Sequence, residues 1–133
     1  MAIQLNNTLA NYIVNSGVVA VLGNGTAVLR VYNGNQPSTA GGSTAGCTML
    51  VQIGGLAWAT GSNGTAALSN SPTGTAGVSG TAGWARLMDT GTNYIIDGNC
   101  GTAGTSDFTI DNQIITGAGV VSLVSATIVQ PGS

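Results

Sequence analysis

The clearest secondary-structure signal in this chain is the stretch Ala27-Val28-Leu29-Arg30-Val31-Tyr32, which is followed directly by Asn33-Gly34. Side chains in a strand alternate between two faces, so Arg30 and Tyr32 share one face. Asn-Gly is a strong signal for a tight turn between strands. The stretch therefore predicts a β-strand that ends at residue 32.

Short β-prone runs separated by turn residues continue to the end of the chain. The further predicted strands are Cys47–Ile53, Leu56–Thr60 after a bulge or bend at Gly54-Gly55, Thr65–Leu68, Thr81–Met88, Asn93–Cys100, Phe108–Ile115 and Val120–Val129. The Ser/Thr/Gly/Ala-rich stretch Asn70–Gly80 fits either a loop or an edge strand. The spacing predicts an all-β fold: a single β-sandwich or jelly-roll-like domain of about seven or eight strands, over residues 26–133.

Residues 1–25 have a different pattern and predict a short N-terminal helix or arm. Leu9, Ile13 and Val14 allow one amphipathic helix that starts at the Asn6-Asn7 pair and ends near Gly17. Residues 18–22 fit either a short strand or a packed connector.

Ionisable side chains are scarce. The chain has no histidine, glutamate or lysine, and its formal net charge is −2. The charged residues are Arg30, Arg86, Asp89, Asp97, Asp107 and Asp111. Most enzymes need a proton shuttle or an activated nucleophile, and phosphate-backbone binding draws on several cations at once. The composition therefore predicts a protein that is not an enzyme, needs no cofactor and does not bind nucleic acid.

No membrane span or secretory signal is expected. No stretch approaches the roughly 18 apolar residues of a spanning helix. The first seven residues lack the basic region of a signal peptide. We therefore expect a protein that remains in the cytoplasm of the cell that makes it until it assembles.

Asp89-Thr90-Gly91 has the residues of the active-site turn of aspartic proteases, in which two carboxylates share a proton. A dimer would supply the second aspartate. Too little chain follows Asp89 for a second half-barrel, and no Ile-Ile-Gly-type strand occurs downstream. The alternative is a tight hairpin, for which Asp and Gly are favoured. We retain the hairpin interpretation and predict no catalytic residue.

The remaining candidate ligands form weak patterns. Asp107 and Asp111 flank a short β run and could contribute to a calcium site, but aspartates at strand ends usually cap turns. Cys47 and Cys100 lack a histidine partner, and a reducing compartment disfavours a disulfide. We predict no metal site and two buried free thiols.

An arginine–aromatic face is the best candidate for binding a partner. Tyr32 lies beside Arg30, and Trp84 lies beside Arg86, while Tyr12 adds an aromatic from the N-terminal segment. Tyr, Trp and Arg dominate interface hot spots. The structural alternative is that each arginine stacks on its neighbouring ring or pairs with Asp97 or Asp111.

Several segments, taken in order, resemble a widespread family of short tailed-phage virion proteins. These segments are Leu29–Pro37, Met49–Ile53, Gly80–Asp89, Ile96–Gly98, Phe108–Asn112 and Ile115–Val129. Members typically have an N-terminal helical segment and a Thr/Gly/Ala-rich β domain. The chain departs from common members in lacking an obvious long helix and in having so few charges.

The resemblance implies a capsid decoration, or cement, protein on the outer surface of a bacteriophage head. Its partners would be the major capsid protein and its own copies, as a homotrimer at three-fold positions. Residues 1–25 would grip an adjacent subunit. The competing interpretation is a head- or tail-fibre adhesin that binds host glycans through an exposed Trp58 and Trp84. An aspartic protease that uses Asp89 is the third.

Overall fold

The computed structural model describes Asn6 and residues 19–59, 65–91, 95–102 and 106–129. Within these residues lie one helical turn, Ala20–Leu22, and ten strands. The strands are β1 Ala27–Tyr32, β2 Met49–Leu56, β3 Thr65–Ala67, β4 Thr73–Thr75, β5 Gly80–Thr81, β6 Trp84–Met88, β7 Ile95–Gly101, β8 Phe108–Ile110, β9 Ile114–Ile115 and β10 Val120–Val129. The prediction of an all-β fold is confirmed.

Eight strands form one curled mixed sheet in the order β2-β1-β6-β7-β8-β10-β3, with β4 also paired to β10. The pair β7–β8 is parallel, and the other pairs in this sheet are antiparallel. Strands β5 and β9 form a separate two-stranded sheet. The narrower expectation of a sandwich or jelly roll stays a prediction.

The two edges of the curled sheet are joined by hydrogen bonds. Beyond β2, Trp58 forms a bridge with Leu68, which lies just beyond β3. The Ala59 amide donates to the Ala67 carbonyl at 2.8 Å. Because these bonds pair the edges with each other, the strand edges there are not open for pairing with other chains.

The core lies inside this curled sheet. Its apolar side chains come from the inward-facing positions of the strands, with Leu29, Ile53, Leu56 and Leu123 all fully buried. Val19, just before the helical turn, and Leu22, the last residue of that turn, pack into the same core. For residues 19–22, the packed-connector interpretation is therefore right and the strand interpretation is wrong. The predicted helix near residues 6–16 lies outside the described residues, apart from Asn6.

The bulge predicted at Gly54-Gly55 is confirmed. Ala27 pairs with Leu56 whereas Leu29 pairs with Ile53, so β2 has one more residue than β1 over this interval. Gly55 has φ +74°, a conformation that side chains rarely tolerate. Strand β2 consequently runs through the glycine pair without ending.

Two predicted strands are each divided in the structure. Thr81–Met88 breaks after Thr81, because the Ala82 amide donates to the Gln113 carbonyl and Gly83 approaches Gly34 too closely for a side chain. Phe108–Ile115 breaks at a turn in which Asn112 Oδ1 accepts a hydrogen bond from the Ile114 amide. Asn70–Gly80, for which loop and edge strand were both open, contains strand β4.

Candidate functional site: an arginine and aromatic face beneath a loop

All five residues of β6 are buried, although a strand at the wall of a single sheet usually exposes alternate side chains. Ala85 and Leu87 belong to the core inside the sheet, whereas Trp84 and Arg86 point to the other side. A second layer must therefore cover the outer face of β6. Part of that layer is the loop between β1 and β2, residues 33–48, which we call the strap and which bonds to Arg86 and Asp97.

A row of polar side chains crosses the outer face at one level of four strands. Gln52 on β2 pairs with Arg30 on β1, Arg30 pairs with Arg86 on β6, and Arg86 pairs with Asp97 on β7. Arg30 donates from Nε to Gln52 Oε1 at 3.0 Å. The two arginines are cross-strand neighbours that bond in opposite directions. Arg30 donates to Gln52 on β2, and Arg86 donates to Asp97 on β7.

Arg86 and Asp97 form a bidentate ion pair. Nε donates to Oδ1 at 2.8 Å and Nη2 donates to Oδ2 at 3.0 Å. The side chains are only 10% and 1% exposed, respectively. The hydrogen bond to Asp97 raises the pKa of Arg86, and burial opposes that rise only in part. Such fork-shaped pairs are geometrically specific as well as strong.

The strap is bound to this ion pair through its main chain. Arg86 Nη2 also donates to the Gly42 carbonyl at 2.9 Å. The Gly41 amide donates to Asp97 Oδ2 at 3.1 Å. Since one strap residue bonds to the cation and its neighbour bonds to the anion, the strap lies directly over the pair.

The aromatic pair occupies the next level of the same face. Tyr32 and Trp84 are cross-strand partners, and their rings stack with centroids 4.5 Å apart and an interplanar angle of 10°. The Arg86 guanidinium carbon lies 5.3 Å from the Trp84 ring centroid, within the range of a cation–π contact. For Arg86, the structure therefore matches the structural alternative considered from the sequence, in which each arginine stacks on its ring or pairs with Asp97 or Asp111. Arg30 bonds to Gln52 instead.

The predicted interface residues are therefore brought together, but mostly under cover. Tyr32, Trp84 and Arg86 are buried, and Arg30 is half-buried. Tyr12 lies outside the described residues. Residues 33–46 lie between two predicted strands in the sequence, and binding of this segment to the arginine–aromatic face was not predicted. The Gly41-Gly42 pair, which allows close approach of main chain, was the available signal.

The other aspartates also serve the fold. Asp89 Oδ2 accepts from the Gly91 amide at 3.3 Å in the turn after β6, which confirms the hairpin interpretation. Asp107 Oδ2 accepts from the Asn99 amide, and Asp111 Oδ1 accepts from the Ser122 amide. Within the part of the chain that the structure describes, no three Cys, His, Asp or Glu side chains are grouped so as to hold a metal ion.

The two cysteines are unbonded and differ in their surroundings. Cys100 is buried, and burial raises the pKa of its thiol to about 12. Cys47, on the strap, is half-buried, and its Sγ lies 3.5 Å from the Asn35 carbonyl oxygen. The prediction of buried thiols is therefore right for Cys100, whereas Cys47 keeps partial access to solvent.

Neither tryptophan is available on the surface of the chain. Trp84 is fully buried and Trp58 is 4% exposed, in the core. The Trp58 amide donates to Asn24 Oδ1 at 2.8 Å, which fixes its main chain as well. Stacking on a sugar needs an exposed ring face, so these two side chains do not provide the glycan platform that an adhesin would need.

Sequence reasoning did not single out the exposed aliphatic side chains around β9 and β10. Ile114 is 70% exposed, Val120 is 65% exposed and Val124 is 54% exposed. Ile114 and Val120 line one shallow depression of about 170 Å³, and we call these two residues the apolar patch. Branched aliphatics in short strands usually predict burial, so no local pattern indicated that these side chains would face outward.

No helix in the described ranges is long and apolar enough to cross a bilayer. Comparison with family models, with curated proteins and with solved structures found no match to this chain.

Proposed function

We propose that this chain is a structural protein of a bacteriophage virion, a capsid decoration protein that binds the assembled head and stabilises contacts between capsomers. Its partners in this proposal are the major capsid protein and two further copies of itself, on the outer surface of the head. It is not an enzyme in this proposal, and its curled sheet serves as a jelly-roll-like scaffold.

The observation that carries the proposal is that every charged side chain is bonded within the chain itself. Each of the six charged side chains makes a hydrogen bond to another group of the same chain. Arg86 and Asp97 neutralise each other beneath the strap. Among the described residues, the exposed carboxylates are those of Asp107 and Asp111, and each already accepts a main-chain amide of the same chain. So few surface charges suit packing against protein better than binding a charged ligand.

The apolar patch supplies a surface that gains from being covered. Burying apolar surface contributes about 25 cal/mol per Å², so two exposed branched side chains favour contact with another protein. Neither side chain is charged, and the exposed Asp111 carboxylate near Val120 already accepts a hydrogen bond from the Ser122 amide. A neutral apolar surface of this kind fits the joint between capsomers.

Decoration acts by mass action. A protein that binds the assembled shell and not free subunits stabilises the shell by an amount that grows with its concentration over its dissociation constant. Binding as a trimer at three-fold positions would match the symmetry of the shell. Many weak neutral contacts repeated over the head would then add up to a large effect.

Sedimentation tests the proposal. Purified heads that lack the protein are mixed with it, pelleted and compared with a mixture that contains free major capsid protein. We expect the chain to pellet with heads at hundreds of copies per head and to leave free subunits unbound. Binding at tens of copies would indicate a fibre instead, and absence of binding to heads would refute decoration.

A patch variant and a matched control sharpen that experiment. Ile114→Ser combined with Val120→Ser removes the apolar patch, whereas Val124→Ser alters an exposed valine farther along the same strand. We expect the double variant to lose at least tenfold in affinity for heads and the control to bind like the parent. Equal binding of all three proteins would show that the patch is not the contact.

A further inference from the structure

The strap differs from the strands around it in how it is held. Many of its residues are exposed, and its contact with the outer face is made by main-chain atoms of Gly41 and Gly42. Beneath it lies the buried Arg86–Asp97 ion pair, and the stacked Tyr32–Trp84 pair lies next to that ion pair. A layer in which no residue is fully buried opens at a lower free energy than the core strands do.

The two ends of the strap are fixed by a pair of reciprocal bonds. The Asn33 amide donates to the Thr48 carbonyl at 3.1 Å, and the Thr48 amide donates to Asn33 Oδ1 at 2.6 Å. Just inside this closure lie Gly34 and Gly46, with φ +81° and +84°. These conformations suit glycine, which has no side chain to restrict its backbone angles. The main chain can therefore change direction at Gly34 and at Gly46 at little cost.

Within residues 37–43, all of which the structure describes, two hydrogen bonds reach the outer face. Both go to the Arg86–Asp97 ion pair, one from Gly41 and one to Gly42. The Gly42 amide instead bonds within the strap, to the Thr39 carbonyl at 3.0 Å. The arrangement is thus a closed base, two glycine pivots and one central attachment. Loss of that attachment frees the centre while leaving the base intact.

We propose that residues 33–48 are a movable cover, latched by the Arg86–Asp97 ion pair, that controls access to the Tyr32–Trp84–Arg86 face. In the closed state, the latch holds Gly41 and Gly42 against the pair. In the open state, the strap swings about Gly34 and Gly46, and the ion pair and the aromatic stack meet solvent together. This inference concerns the strap alone and stands whether or not the chain decorates a capsid.

Native-state hydrogen exchange of the unmodified protein in low urea gives the first test. A local opening exposes little surface, so exchange at the Gly41 amide will be nearly insensitive to urea, while exchange at Val31 and Leu87 will rise steeply. We also expect Gly41 to exchange at least tenfold faster than Val31 in water. An equal urea dependence at all three amides would show that the strap opens only when the whole sheet unfolds, and would overturn the proposal.

The latch is tested by Asp97→Asn, with Asp111→Asn as the matched control. Asp111 Oδ1 accepts from the Ser122 amide, whereas the hydrogen bonds between the strap and the outer face involve Asp97 and Arg86. We expect Asp97→Asn to speed exchange at Gly41 at least tenfold, still without urea dependence, and Asp111→Asn to leave it unchanged. A change of less than twofold in Asp97→Asn would refute the latch. Should Asp97→Asn not fold, the urea dependence of the parent protein still decides whether the strap is a movable cover.

Discussion

Arg86 and Arg30 have the same charge and face the same side of the sheet, yet their environments differ. Arg86 bonds to Asp97 and to the strap and is almost inaccessible, whereas Arg30 is half-buried and bonds to the neutral Gln52. Removing one partner of a buried ion pair leaves the other charged and unpaired, which is costly. Removing Arg30 leaves no such charge behind, because its partner Gln52 is neutral.

We therefore expect Arg86→Met to lower the free energy of unfolding by about 3 kcal/mol, because the Asp97 carboxylate would remain in place without its cation. Arg30→Met, the matched control, should change it by less than about 0.5 kcal/mol. Urea unfolding followed by circular dichroism measures both. Equal effects of the two substitutions would contradict the assigned role of the buried pair.

Cys100 provides a prediction for alkaline pH. Burial raises the pKa of its thiol to about 12, from an ordinary value near 9.0. Above pH 9 the unfolded chain loses this proton while the folded chain keeps it, so the folded state loses stability as pH rises toward 12. Below pH 9 the thiol is neutral in both states and contributes no pH dependence.

Unfolding measured in urea at several pH values between 8 and 12 tests this sign. We expect the parent and Cys47→Ala to lose stability over that range more steeply than Cys100→Ala, in which the titrating group is absent. Identical slopes in all three proteins would contradict the assignment to Cys100.

A thiol reagent at neutral pH should also modify Cys47 long before Cys100.

At the scale of elements, the close approach of β4 to β2 is the most demanding packing. A Cβ on Gly74 would collide with the Gln52 carbonyl oxygen. A Cβ on Gly77, just beyond β4, would meet nothing within 4 Å. The Gly77 amide also donates to the Leu50 carbonyl at 3.0 Å, so this segment lies against β2.

Gly74→Ala should consequently destabilise the protein by about 1–3 kcal/mol through overpacking. Gly77→Ala, which adds the same methyl group in open space, should stay within about 0.5 kcal/mol of the parent. Thermal unfolding followed by circular dichroism distinguishes them. If both variants melt together with the parent, β4 does not pack against β2 as described.

Strand patterns were predictable where local chemistry determines them. The Asn33-Gly34 stop, the bulge at Gly54-Gly55 and the turn at Asp89 all follow from the conformations that these residue types favour. The division of Thr81–Met88 was not predictable, because it depends on Gly34 approaching Gly83 from another part of the chain. The parallel pairing of β7 with β8 is likewise a long-range feature.

The candidate site was predictable in membership but not in accessibility. Strand periodicity places Arg30 with Tyr32 and Arg86 with Trp84. Asp97 was one of two aspartates considered as a partner, the other being Asp111, and the structure selects Asp97 for Arg86. Whether such a face is open depends on where a 16-residue loop lies, and local sequence does not determine that. The apolar patch was missed because Ile and Val in short strands usually indicate buried positions, whereas Ile114 and Val120 are exposed.

Across the whole molecule, both the small number of charged side chains and their positions favour association with other protein surfaces. Six charged side chains are present, and each makes a hydrogen bond within the fold. With a formal net charge of −2, repulsion between copies is weak, so neighbouring copies can pack closely on a common surface. Large exposed aliphatics then favour a covered state over a free one.

The thermal disruption of heads with and without the protein measures the proposed function most directly. Heads that lack the chain are heated in parallel with heads to which it has been added back, and released DNA is followed by dye fluorescence. We predict that added protein raises the disruption temperature by several degrees and that the patch double variant does not. If heads rupture at the same temperature with and without bound protein, the chain is not a stabilising decoration protein.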